Sequence, residues 1–337
     1  MIGRSPAFWS RPDSWRGALL SPIGNLVGGI TLRRMARRGE AISVPVICIG
    51  NPTVGGAGKT PATLMILADL KARGARPFAL LRGHGGRLAG PVRVDSARHD
   101  AGAVGDESLL LAAEAPTIVS RDRVAGARLA VAEGATHIVM DDGFQNPSLA
   151  KDVSLLVIDG AAGVGNGRVL PAGPLRAPLA PQIALADAVL LVGAGTAGAS
   201  VGSVARQAGK AVLEARIVPD ATTIAALRGQ RVLAFAGIGR PEKLVATLTG
   251  TGIEVARLRA FPDHHPYSAE DIAGLVAEAD AAHLTLVTTS KDMARLRGPT
   301  FAVFASRITA LPVRMKVSDP AALDTLLALA NARWASR

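Results

Sequence analysis

A chain of 337 residues, 49% hydrophobic and 19% charged, is long enough for one large α/β domain or two smaller ones, and argues against disorder. Lys and Arg outnumber Asp and Glu by 38 to 27, which calls for an anionic partner, and 3% aromatic content leaves few platforms for stacking bases, which points away from nucleic acid. A single cysteine, Cys48, rules out an internal disulfide framework and reads as a small buried strand residue in a reducing compartment.

The first 40 residues are unusual. Arg4, Arg11, Arg16, Arg33, Arg34, Arg37 and Arg38 stand against Asp13 and Glu40 and surround the apolar stretch Gly17 to Ile30, with Trp9 and Trp15 at its front. The stretch is too short to span a bilayer and is followed at once by a glycine-rich loop, so neither a membrane span nor a cleaved signal fits. The pattern predicts a basic segment over residues 1–40 that lies at an anionic membrane surface, with the tryptophans at headgroup level. An ordinary helix with a solvated basic face is the plainer reading.

Apolar runs then alternate with helical ones. Strands are predicted at Val44–Ile49, Pro77–Leu81, Thr117–Val119, His137–Met140, Ser154–Ile158, Ala188–Val192, Ala211–Arg216, Arg231–Ala236, Glu254–Ala260, Thr285–Thr289 and Val313–Val317. Helices fall at Thr60–Arg73, Ser108–Ala113, Arg121–Glu133, Pro241–Thr249 and Ala269–Ala279, and the Gly/Ala-rich Gly193–Gly202 reads as a loop. Such alternation predicts an α/β fold with a mostly parallel sheet covered by helices on both faces. A division near residues 220 to 230 gives a core at 41–225 and a smaller C-terminal α/β subdomain at 226–337.

The densest chemistry follows the first strand, in Asn51-Pro-Thr-Val-Gly-Gly-Ala-Gly-Lys-Thr-Pro61. The strict phosphate-loop pattern wants Gly where Thr53 stands, yet the physical needs are met: a buried strand leads in, glycines let N–H groups turn toward phosphates, Lys59 supplies a cation and a helix starts at Thr60. Thr53, Gly55, Gly56, Ala57, Gly58, Lys59 and Thr60 are therefore the expected nucleotide-binding set. The strand running into Asp141 and Asp142 supplies carboxylates for a Mg²⁺ that Thr60 also ligates, with Gln145 orienting a phosphate or water. Asp106, at the start of a helix, is placed to take a proton from an attacking hydroxyl, and Phe261-Pro-Asp-His-His-Pro-Tyr267 offers His264 or His265 to tune it. Thr288-Thr-Ser-Lys-Asp292 divides evenly between a loop that reads a nucleotide base and a helix anchor.

Taken together, NPTVGGAGKTP (51–61), LRGHGG (81–86), VGDESLLLA (104–112), MDDGFQN (140–146), GNGRVLPAGPLRAPL (165–179), AFAGIGRPEKL (234–244), FPDHHPY (261–267) and TTSKDMARL (288–296) resemble the tetraacyldisaccharide 4′-kinase family, the lipid A 4′-kinases of Gram-negative bacteria. The resemblance implies ATP- and Mg²⁺-dependent phosphorylation of the 4′-hydroxyl of a tetraacyl glucosamine disaccharide 1-phosphate, giving lipid IVA at the cytoplasmic face of the inner membrane, with no obligate protein partner. It implies catalytic roles for Asp106, His264 and Lys59, and metal contacts through Thr60, Asp141, Asp142 and Gln145. Arg82 and Arg176 become candidates for phosphate contacts, in a site completed by closure of two domains. The chain departs from the family at Ala177, where Glu is common, at His84, where Tyr is frequent, and at Asn146, where His is usual. A regulatory or assembly P-loop NTPase at the membrane is the alternative; it often carries a second Lys where Val54 stands and gives no reason for Asp106 or the Asp-His-His block. A basic scaffold using nucleotide structurally explains still less.

Overall fold

The computed structural model describes residues 6–337; Arg4 of the basic segment lies outside them. Thirteen strands form two sheets. In chain order they are β1 (Val46–Gly50), β2 (Pro77–Leu81), β3 (Val92–Arg93), β4 (Thr117–Val119), β5 (His137–Asp141), β6 (Val153–Asp159), β7 (Ala188–Val192), β8 (Ala211–Pro219), β9 (Arg231–Ala236), β10 (Glu254–Ala260), β11 (Thr285–Thr289), β12 (Ile308–Leu311) and β13 (Val313–Val317). The large sheet runs β13-β8-β7-β6-β1-β5-β2-β4-β3 and the small one β10-β9-β11-β12. All pairings are parallel except β13 with β8 and β3 with β4, both at the edges.

Alternation along β1 sends Ile47 and Ile49 to one face and Val46 and Cys48 to the other. The first face is covered by Ile66, Leu67 and Leu70 of the helix Lys59–Ala72 and by Leu323, Leu326 and Leu327 of the C-terminal helix Pro320–Ala335. Because both faces are buried, the strands carry the continuous apolar runs that made them legible. β1 lies between β5 and β6, where the strand order reverses, so the loop leaving Gly50 opens at the switch point where such sheets bind ligands.

Three expectations need correction. Residues 193–202 are not a loop: the helix Thr196–Gln207 begins there, its alanines favour the helix, and Gly198 lets it approach Gly160, whose Cα would lie 2.6 Å from an added Cβ. The C-terminal unit does not extend to residue 337. It closes at Leu311, after which β13 and the last helix return to the large sheet. Edge strands β3 and β12 also went unpredicted, being a two-residue piece and a run ending against Pro312.

The helix Trp15–Met35 inverts the usual amphipathic plan. Gly24 and Gly28 face the body, where an added Cβ would fall 2.6 Å from the Val169 carbonyl and 2.9 Å from Pro178. Trp15, Leu19, Ile23, Leu26 and Ile30 lie exposed at helical spacing, Trp15 and Leu19 at 69%. Trp9 differs from its expected place at an interface: its indole N–H donates to the Pro171 carbonyl at 3.1 Å, tying the segment to the body. Arg33, Arg34, Arg37 and Arg38 are exposed at the helix's end. Among the described residues no helix is long and apolar enough to cross a membrane.

Candidate active site

The loop after β1 turns through Gly55 (φ 107°) and Gly58 (φ 98°), left-handed conformations that favour glycine, and delivers Lys59 and Thr60 to the first turn of a 14-residue helix. Space is open where Gly55 and Gly56 would carry side chains, leaving a concave backbone surface suited to phosphate. Ala57 is buried and so seats the loop from beneath, and Thr53 is buried with its carbonyl accepting Arg176 Nε at 3.1 Å. Lys59 Nζ donates to Asn51 Oδ1 at 3.0 Å and stands 3.7 Å from Asp142. Asn51, buried at the exit of β1, also donates to the Gly55 carbonyl at 3.3 Å. It buttresses the loop, and sequence reasoning passed it over.

At the end of β5, Asp141 and Asp142 face different partners. Asp141 Oδ2 accepts from the Thr60 hydroxyl at 3.2 Å, while its buried Oδ1 has no protein partner among the described residues. Burial, joined by the neighbouring Glu107 and Asp142 carboxylates and opposed by Lys59, pushes the Asp141 carboxyl up to about 7. An orphaned carboxylate oxygen beside a threonine hydroxyl is a donor set that fits a hard divalent cation.

Asp142, by contrast, is already engaged. Arg176 grips both its oxygens at 2.8 and 3.0 Å, and although burial opposes ionisation, Lys59 and Arg176 hold its carboxyl below the usual range. Gln145 is likewise committed: its amide N–H groups donate to the Asn51 carbonyl and to Gln182, each at 2.9 Å, and its oxygen accepts from Arg176 at 3.2 Å. Asp142, Gln145 and Arg176, expected at the metal and the phosphate, are joined here in a network that braces the loop. Arg82 is exposed at the end of β2, with no ion pair among the described residues. Ala177 is fully buried, its carbonyl accepting from Gln182 at 2.6 Å.

Asp106 and His264, 158 residues apart, meet at 3.1 Å between Oδ2 and Nδ1. The carboxylate can only accept, which puts the proton on Nδ1. Asp106 is 3% exposed and takes further N–H donors from the Glu107 backbone at 2.8 Å and from Arg295, Nε at 2.7 Å with Nη2 closing the fork. Burial alone would push its carboxyl up, but the His264 hydrogen bond and the charges of Lys291 and Arg295 hold it well below the carboxylate range. The expected acceptance of a hydroxyl proton by Asp106 therefore meets a saturated carboxylate. The nitrogen of the pair that Asp106 does not hold is His264 Nε2, 3.4 Å from Lys291 Nζ. His264 adopts φ 58°, a strained conformation for a non-glycine residue. His84 stands edge-on to its ring, with centroids 5.6 Å apart. His265 turns away to Asp271 at 3.1 Å and packs on Phe261, which answers the choice left open between the two histidines.

The even division over residues 288–292 also closes. Asp292 is fully buried and accepts from the Gly237 N–H and the Tyr267 hydroxyl, each at 2.9 Å, and from Arg295 at 2.7 Å, the contacts of an anchor.

A phosphate loop at a sheet switch point, an orphaned carboxylate beside its threonine and a buried Asp–His pair define a P-loop phosphotransferase acting on a hydroxyl. A family model described as tetraacyldisaccharide-1-P 4′-kinase (LpxK) matches residues 16–331. Proteins named tetraacyldisaccharide 4′-kinase from Azorhizobium caulinodans and Xanthobacter autotrophicus are 63% and 57% identical, over 100% and 99% of this chain and 100% and 99% of their own lengths. The crystal structure of LpxK from Aquifex aeolicus in complex with ATP is similar with a TM-score of 0.71 at 26% identity, covering 93% of this chain and 99% of that one. The chain belongs to the tetraacyldisaccharide-1-P 4′-kinase family and is a kinase.

Proposed function

We propose that the chain transfers the γ-phosphoryl group of ATP to the 4′-hydroxyl of a tetraacyl disaccharide 1-phosphate, giving lipid IVA, while seated on the cytoplasmic face of the inner membrane. The observation that supports this reading is the buried Asp106–His264 pair, 3.1 Å apart, with Glu107 beside Asp106 touching Lys291 at 3.2 Å.

Backbone N–H groups of Gly55 to Thr60 hold the phosphates, and Lys59, released from Asn51, offsets charge that develops during transfer. Thr60 and Asp141 would hold Mg²⁺, which when bound neutralises phosphate charge. His264 Nε2 takes the proton of the 4′-hydroxyl as it attacks, and Asp106 fixes the ring through Nδ1–H and stabilises the imidazolium that results. Lys291 must leave Nε2 for the hydroxyl to enter, and its ammonium then faces the incoming phosphoryl group.

The exposed stripe of the helix Trp15–Met35 supplies the membrane contact, with the arginines that follow it facing anionic headgroups. Each large apolar side chain buried contributes about 1.5–3 kcal/mol, so the stripe suffices for reversible binding. Replacing Trp15, Leu19 and Leu26 together by Ser is expected to weaken binding to vesicles containing anionic lipid by at least about tenfold, read by sedimentation. Unchanged binding would remove the helix from this role.

The reaction is tested with purified protein, Mg-ATP and tetraacyl disaccharide 1-phosphate in detergent, following the bis-phosphorylated lipid. Product supports the lipid kinase. Nucleotide hydrolysis without lipid product would favour a membrane NTPase instead.

A further inference from the structure

We propose that Arg295 is a positioning residue for phosphoryl transfer: its buried guanidinium, carried by the small domain, fixes the Asp106 carboxylate that orients His264. The inference rests on the reading of the site given above.

The geometry is that of a strut. Asp106 opens a helix of the large domain, whereas Arg295 ends the helix Ser290–Arg295 that follows β11 of the small sheet, 189 residues away. The Arg295 side chain is 6% exposed, and all its reach is used. Nε and Nη2 fork onto Asp106 Oδ2, while Nη1 donates to Asp292 and to the Gly237 carbonyl, both at 2.7 Å. Asp292 in turn is fixed by Tyr267, Thr289 and the Gly237 N–H, and Tyr267 packs edge-on against Phe235 and Phe261. A chain of satisfied groups thus runs from the core of the small domain to the imidazole.

Stability alone does not account for this arrangement. A buried ion pair repays its desolvation poorly, and apolar residues of similar volume usually serve stability as well or better. What the pair supplies is direction. Two guanidinium N–H groups converge on Oδ2 and fix its position while the Glu107 N–H holds Oδ1, so both oxygens are set; a lysine ammonium offers no such planar pair of donors. Without it, Asp106 keeps its own helix N–H and the imidazole, and can rotate about its side-chain bond. His264 would then lose the orientation that aims Nε2.

The surroundings permit a test that a mere scaffold would not pass. Asp106 is faced by His264, Arg295 and Lys291, the last at 4.0 Å, with Glu107 beside it, while His264 is also faced by His84 and by Asp263 at 3.9 Å. Removing the Arg295 cation leaves the coupled Asp106–His264 pair with one neighbouring positive charge fewer, so the pair holds a proton to higher pH and is lost as a base there. The acidic limb of the kcat profile should therefore move upward in pH.

Arg295→Ala and Arg295→Lys are compared with the parent chain for kcat, KM for ATP, pH profile and affinity for a fluorescent ATP analogue, with and without added guanidinium. For Arg295→Ala, kcat is expected to fall on the order of 100-fold, the cost of about 1 Å of misplacement, with KM for ATP changed by no more than about threefold. The acidic limb should move up and guanidinium should restore part of the rate; Arg295→Lys, which keeps the charge but not the fork, should lose rate with a smaller pH shift. Unchanged kcat in Arg295→Ala, or a loss with an unmoved limb and no rescue, would overturn the positioning role. A parent chain that binds the analogue but phosphorylates no lipid would instead overturn the kinase reading, and this role with it.

Discussion

His264→Ala is expected to lower kcat by about 10²- to 10⁴-fold, the range that a positioned general base contributes, with little change in KM for ATP. The imidazole carries the nitrogen of the pair that Asp106 does not hold, and neither Nδ1 nor Nε2 touches the phosphate loop. Asp106→Ala should come close to the same loss, because Nδ1 would then lack the acceptor that sets tautomer and aim. Residues acting as a unit are not additive, so the double variant should be scarcely worse than either single one. Single-turnover rates of phosphoryl transfer would check this. If the two losses multiplied, Asp106 and His264 would have separate roles and the pair would be dismissed as a unit. His265→Ala is the control, since that ring is held by Asp271 and packed on Phe261, and it should keep most of the rate.

Lys59→Ala and Asp141→Asn should each cost kcat on the order of 10²- to 10³-fold, the usual effect of removing one preorganised electrostatic partner of a transition state. They should differ in metal dependence. Asp141→Asn deletes the charge on the carboxylate that joins an orphaned oxygen to the Thr60 hydroxyl, so half-saturation by Mg²⁺ should move to higher concentration. Lys59→Ala should leave that midpoint near its parent value. Asp142→Asn weakens the bidentate grip of Arg176 and loosens the loop from outside, so its effect should be the smaller of the two carboxylate changes and fall mainly on KM for ATP. A Mg²⁺ midpoint that moved with Asp142 and not Asp141 would reverse the assignment of metal ligand.

What the sequence disclosed depended on how local each feature is. β1 with its glycines and Lys59-Thr60 is written in fifteen consecutive residues, and β5 with Asp141 and Asp142 in six, so both were legible from order alone. Buried parallel strands such as Ala188–Val192 show as unbroken apolar runs and were placed to the residue. β3 has only two residues, and the helix from Thr196 was masked by glycines that mean close packing as often as a turn. The partition between Asp141 and Asp142 was not readable, because it depends on where Arg176 arrives from another loop. Arg295 gave no signal at all: an arginine four residues after a lysine in a short helix looks like solvent-facing charge, and its partner lies 189 residues upstream.

The return of β13 to the large sheet has a mechanical meaning. The small domain is an insertion between β8 and β13, attached by two crossings that lie side by side, the Asp220 N–H donating to the Pro312 carbonyl at 2.9 Å. A body tethered at two adjacent points swings about one line, as a door does, and cannot twist freely as it would on a single linker. A rotation about that line would withdraw His264, Lys291 and Arg295 from Asp106 along one arc. A second contact between the two sheets' units is Asp159, the last residue of β6, which pairs with Arg240 and Lys243 of the small domain. Such a rotation would open the way for the acceptor and take the base apart in the same movement.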